Sequence, residues 1–187
     1  MFDQPPKSIH PEAEALVEYW LHERGGRLLP DKDALNPLKL RRWIGDISIV
    51  ELHDGPKKFY VKLHGGKTQQ KIGNDLTRRY FEDALDAKTL EFAIAPYRAA
   101  YEALRPTHSL FVPKLYPSVF TKLERLVLPF GVEIQDAKKP KVEQFLTWVG
   151  PTDRNEVGCD SVYDMVDDAS GAVVNIAEAV ELEILPT

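Results

Sequence analysis

Lys122-Leu123-Glu124-Arg125-Leu126-Val127-Leu128-Pro129-Phe130-Gly131 decides the fold. Its apolar run is short, rich in branched residues and closed by proline and glycine, which suits a strand better than a helix. Val142-Glu143-Gln144-Phe145-Leu146-Thr147-Trp148-Val149-Gly150 repeats the pattern after a polar loop holding Asp136 and Lys138-Lys139-Pro140-Lys141. With a further strand after Arg105-Pro106, three consecutive strands are predicted between Arg105 and Gly150.

Working backward, Asp86–Leu104 has helical spacing. Leu90, Ile94, Tyr97, Tyr101 and Leu104 share one face. Pro96 removes a backbone donor there, predicting either a kink or two short helices. A hairpin precedes it: Ile47–Leu52, a turn at Asp54-Gly55-Pro56, then Phe59–His64. Simple alternation puts Phe59, Val61 and Leu63 on one face and Tyr60, Lys62 and His64 on the other. Gly65-Gly66 closes the hairpin, and a polar stretch runs to Gly73. Near the N-terminus, Ser8 with Pro11 reads as a helix start. Ala13, Leu16, Val17 and Trp20 form its apolar stripe, and Gly25-Gly26 ends it. Asn36-Pro37 predicts a second, short helix carrying Leu40, Trp43 and Ile44. Strands at both ends of a helical block predict an α+β domain with one antiparallel sheet and helices on one side.

The 187 residues suffice for one domain with a core and an extension. Hydrophobic residues make up 43% and charged residues 28%, as in ordinary globular proteins. No apolar run approaches the ~18 residues of a membrane span. The start lacks a secretory pattern, and Cys159 is the single cysteine, so no internal disulfide forms. These features point to the cytoplasm. Charge divides unevenly: residues 1–150 carry +3 and residues 151–187 carry −8. The shift marks a boundary near Gly150-Pro151. Yet Val173, Val174, Ile176, Val180, Leu182, Ile184 and Leu185 make residues 172–185 too apolar for a free acidic tail, so this stretch is expected to pack on the body or on a second copy.

Four segments resemble a known family. Trp20 with Arg24-Gly25-Gly26-Arg27-Leu28-Leu29-Pro30 and Asn36-Pro37 resembles its opening. Phe59–Gly65 resembles its aromatic–basic–glycine strand, with Lys62 in place of Arg. Gly73-Asn74-Asp75-Leu76-Thr77 resembles its Gly-x-Asp-Leu-Thr motif, with Arg78 where glycine is expected. Glu124–Pro129 resembles its Glu-Arg-apolar-apolar-apolar-Pro strand. The family is that of small bacterial PAS-like domains, and the resemblance covers roughly residues 15–150. It divides the chain into an N-terminal segment and helix start (1–14), a PAS-like domain (15–150) and an acidic, apolar C-terminal extension (151–187). It implies a five-stranded antiparallel sheet that holds a small molecule or pairs with a protein, and no catalytic residues. Fold alone does not settle function.

The expected pocket residues are Lys62, Tyr97, Tyr101, Phe111, Arg125, Leu126, Leu128, Phe145 and Trp148, with Arg125 and Lys62 as polar groups if they point inward. The simpler reading is that most of them fill a close-packed core. Among the five histidines, none has metal-ligand spacing. His64 is the best-placed haem ligand, against the plainer reading of a strand-end histidine. A flavin adduct at Cys159 lacks the asparagine-containing helix motif of light-sensing relatives. Asp153, Asp160, Asp164, Asp167 and Asp168 lack the order of a calcium loop. No phosphate loop or nucleophile elbow is present, so no enzymatic activity is expected. Lys57, Lys58, Lys62, Lys67, Lys71, Arg78 and Arg79, with Lys138, Lys139 and Lys141, would bind nucleic acid only if they shared one face. The leading expectation is a non-catalytic sensory or regulatory module with a small-molecule or protein partner. A structural dimerisation module with a filled core and a nucleic-acid-associated regulator are the alternatives.

Overall fold

The structure is a computed structural model that describes residues 10–111, 123–135, 137–151 and the backbone of 182–184. Its centre is one antiparallel sheet. In chain order the strands are β1 (Ile47–His53), β2 (Lys58–His64), β3 (Arg79–Tyr80), β4 (Thr107–Phe111), β5 (Leu123–Val132), β6 (Lys141–Pro151) and β7 (Leu182–Ile184). They lie side by side as β3-β2-β1-β6-β5-β4-β7. The five long strands are those expected, and two short ones flank them.

Helices cover both faces. α1 (Pro11–Arg24) lies on one. α3 (Phe81–Ala84) and α4 (Ala87–Ala103) lie on the other, where Tyr97 meets Phe59, Phe81 and Phe145. This double cover explains the continuous apolar run of β5, in which every residue from Leu123 to Gly131 is buried. Pro129 fits there because the β4 ladder ends at Thr107–Val127, so no bond to β4 is lost. Its carbonyl accepts the Trp20 indole N–H at 2.7 Å. Trp20 is completely buried beside Ala13 and Leu16, which settles the flanking helix onto the sheet within one chain.

Local chemistry departs from the expected pattern in several places. His10, not Ser8, caps α1: its Nδ1 accepts from the Glu12 amide, with Pro11 in the first turn, while Ser8 lies outside the described residues. Residues 37–45 form successive turns rather than a helix, and the first is opened by the Asn36 side chain, which accepts from the Leu38 amide. Leu40 and Trp43 are buried as expected, but Ile44 is exposed. The polar stretch after the hairpin is a helix, α2 (Gly66–Ile72), ended by Gly73 at φ 77°. Gly65 before it is required, since a Cβ there would sit 2.4 Å from the Gly45 carbonyl. Arg78, in the place of an expected glycine, keeps the left-handed conformation at φ 59°. α4 runs unbroken through Pro96.

A bulge decides the faces of β2. Ile49 pairs with Leu63 and Val50 with Val61, leaving Lys62 as the extra residue. The slip moves His64 onto the face of Phe59 and Val61 and turns Leu63 to the opposite face, reversing what alternation predicts for both. Part of the C-terminal extension joins the sheet: Leu182–Ile184 pairs with Thr107–Ser109. The apolar residues at 173–180, Leu185, Cys159 and the five aspartates at 153–168 lie outside the described residues.

Candidate functional site

The register of the sheet sorts the expected pocket residues onto two faces. Arg125, Val127 and Pro129 of β5 pair with Val149, Thr147 and Phe145 of β6, and this face meets α4. Leu126, Leu128 and Trp148 point to the α1 face, where Trp148 touches the His10 ring at 5.1 Å. Lys62 is on neither: it is exposed at the bulge, with Nζ 2.9 Å from Glu51. Tyr97, Phe111, Arg125 and Phe145 are brought together between α4 and the sheet, with Tyr101 packed at the core's margin.

On the α4 face two polar arrangements sit among aromatic rings. The Tyr97 hydroxyl accepts from Thr147 Oγ1 at 2.9 Å, and burial pushes its pKa up. Arg125 is 7% exposed. Its guanidinium carbon lies 5.1 Å from the ring centres of both Phe92 and Phe111. Such cation–π contacts are worth about 0.5–2 kcal/mol each. Arg125 Nε donates to Ser109 Oγ at 3.2 Å and Nη1 to the Ala93 carbonyl at 3.3 Å. Ala93 is next to Phe92, the residue whose carbonyl Pro96 leaves without a helical donor. Nη2 is buried without a hydrogen-bond partner. Burial pulls the Arg125 pKa down to about 10, which still leaves it charged at neutral pH. Ser109, Phe92 and the Ala93 carbonyl were not legible as site groups, because cross-strand register and helix placement bring them together. The alternation of β4, with Thr107, Ser109 and Phe111 on one face, is the signal that was available.

The α1 face buries an acidic side chain, and there its carboxyl group is hydrogen-bonded. Glu124 and His108 are 1% and 2% exposed. His108 Nε2 lies 3.2 Å from Glu124 Oε2, which also accepts the His10 amide at 2.9 Å. Gly150, opposite Glu124, leaves the space that the Trp148 ring fills.

A shallow cleft of about 390 Å³ opens at the end of the sheet between Trp43, Trp148 and Pro151. Its charges are spent on each other. Glu12 accepts from Arg42 and from the Trp43 indole, and the Arg42 bond chiefly lowers its pKa. Asp46 accepts from Lys67 and Lys71; burial pushes its pKa up, and the two ammonium groups more than offset that. Lys57 pairs with Asp54 and Lys141 with Glu143. Of the basic residues named from the sequence, Lys57, Lys62, Lys67, Lys71 and Lys141 are each held by a carboxylate. His64 is buried, its Nδ1 bonded to Ser48 Oγ at 2.9 Å, and burial lowers its pKa. Among the described residues no three histidine, cysteine or carboxylate side chains gather as a metal site. None of the described helices is long and apolar enough to cross a membrane.

A family model described as PAS domain matches residues 8–102. That span opens at the start of α1 and closes within α4, while β4, β5 and β6 continue the same sheet beyond it. A comparison with curated proteins finds no match.

Proposed function

The chain belongs to the PAS domain family, and from that membership and the geometry above we propose that it is a non-catalytic sensory module whose small-molecule site lies between α4 and the sheet. One observation carries this: the α4 face buries a charged guanidinium with an unused donor among aromatic rings. Ligand sites join apolar walls to a few placed polar groups, and Tyr97, Phe111, Phe145 and Arg125 supply both. A ligand there would touch α4 and the β4 edge together, so its arrival would be felt in the packing of both. Native mass spectrometry of the purified full chain tests the reading. A stoichiometric small-molecule adduct, lost when Phe111 is replaced by tryptophan, is the expected result. A bare chain whose melting temperature no metabolite mixture moves would overturn it.

A second reading, a protein-interaction module, draws on β7. The outer edge of β4 accepts a strand from far along the chain, and such an edge also accepts a strand from another copy or partner. Light scattering across a concentration series separates the two: a dimer that dissociates when residues 172–187 are deleted would favour this second reading.

A further inference from the structure

We propose that Arg125 and Ser109 form a subsite for the carboxylate of a small, apolar monocarboxylic acid. This rests on the sensory reading above and adds the chemistry of the ligand.

The orientation of the guanidinium carries the inference. In arginine, Nε and Nη2 share one edge, the edge that meets a carboxylate side-on. Here Nε donates to Ser109 Oγ, so that oxygen's lone pair faces Arg125 and its hydrogen is free to turn outward. Nη2, on the same edge, is buried and without an acceptor. One carboxylate oxygen at Nη2 and the other at the Ser109 hydroxyl would satisfy both donors.

The charge balance points the same way. Among the described residues Arg125 has no ion-pair partner, although Glu124, its neighbour in sequence, faces the other side of the sheet and bonds to His108. A buried cation without a counter-charge is unfavourable until an anion reaches it. A monoanion neutralises it, whereas a phosphate dianion would bury an extra negative charge. The walls fix the rest of the ligand. Phe92 and Phe111 stand edge to face at 6.0 Å, and both are partly exposed. They separate the guanidinium from solvent and offer apolar surface to the body of the acid.

The test is a set of thermal melts of the full chain at fixed ionic strength, with benzoate, acetate, phosphate and neutral benzamide as probes. The wild type is compared with Arg125→Met and Ser109→Ala. Benzoate should raise the melting temperature by about 3–6 °C at ten times its dissociation constant. Arg125→Met should remain folded by circular dichroism and lose that rise, and Ser109→Ala should weaken benzoate binding about tenfold. If benzamide stabilises as well as benzoate, the carboxylate subsite is wrong while the sensory site stands. Stabilisation by phosphate alone, or a benzoate effect that survives Arg125→Met, also overturns it. If no probe acts and the native mass spectrum carries no adduct, both the subsite and the sensory reading fall. Should Arg125→Met fail to fold, Arg125→Lys replaces it, and undiminished benzoate affinity in that variant overturns the subsite.

Discussion

The two faces of the sheet treat charge differently, though they share β5. Glu124 and Arg125 are neighbours in sequence and opposite in formal charge. Strand alternation sends them to opposite sides, so each must find its own partner. On the α1 face Glu124 has His108 and the His10 amide, within a packed layer of Trp20, Leu126, Leu128 and Trp148. On the α4 face Arg125 has two neutral acceptors, two aromatic rings and one nitrogen, Nη2, left without an acceptor. The first face satisfies its buried Glu124 and His108, and the second leaves Arg125 Nη2 without an acceptor; the proposed ligand site rests on that difference.

That contrast can be broken by substitution. The largest effect belongs to the α1 face. Trp20→Ala should cost about 3–5 kcal/mol, and chemical denaturation should give the same loss at every protein concentration, because the ring is buried within one chain. A concentration-dependent loss would move α1 to a dimer interface. Next comes the direct comparison. Glu124→Leu leaves His108 and the His10 amide without their acceptor and should cost about 2–3 kcal/mol. Arg125→Met removes an uncompensated charge and keeps contact with Phe92 and Phe111, so it should change stability by less than about 1 kcal/mol. Equal losses in urea melts would erase the distinction.

A smaller effect is pH dependence on the α4 face. Burial holds His64 neutral below its ordinary pKa of 6.5. Its stabilising contribution is therefore complete above about pH 6.5 and declines as pH falls, because the unfolded chain takes up a proton that the folded one resists. Denaturation midpoints at pH 7.5 and pH 5 should differ less in His64→Gln than in the wild type. Smallest is Arg78→Gly. Relief of the left-handed backbone at φ 59°, partly offset by glycine's freedom in the unfolded chain, should add about 0.5 kcal/mol.

Much of the fold was legible in the sequence because its signals are periodic. The strands around Leu126 and Leu146, the hairpin and the faces of α1 and α4 follow from spacing alone, and three of the four family motifs lie within the PAS domain match over residues 8–102, the Glu124–Pro129 strand falling beyond it. What was missed depends on single local events. The extra residue at Lys62 reverses the faces of Leu63 and His64, and polar α2 has no apolar stripe to announce it. The candidate site was half legible. Arg125, Tyr97, Phe111 and Phe145 do converge, whereas Leu126, Leu128 and Trp148 belong to the other face. Ser109 emerges only from its pairing with Arg125 across two strands separated in sequence.

Arg125 is the group whose response to an arriving anion decides between the two faces. An NMR titration of the full chain with benzoate, following the Arg125 Nε–H resonance and the Ser109 amide, reads this without a mutation. The predicted result is a saturable shift of both signals, with the Glu124 and His108 amides on the other face moving little. Contradiction would be an unmoved Arg125 resonance while signals around Lys67 and Lys71 shift, which would place anion binding in the surface cleft.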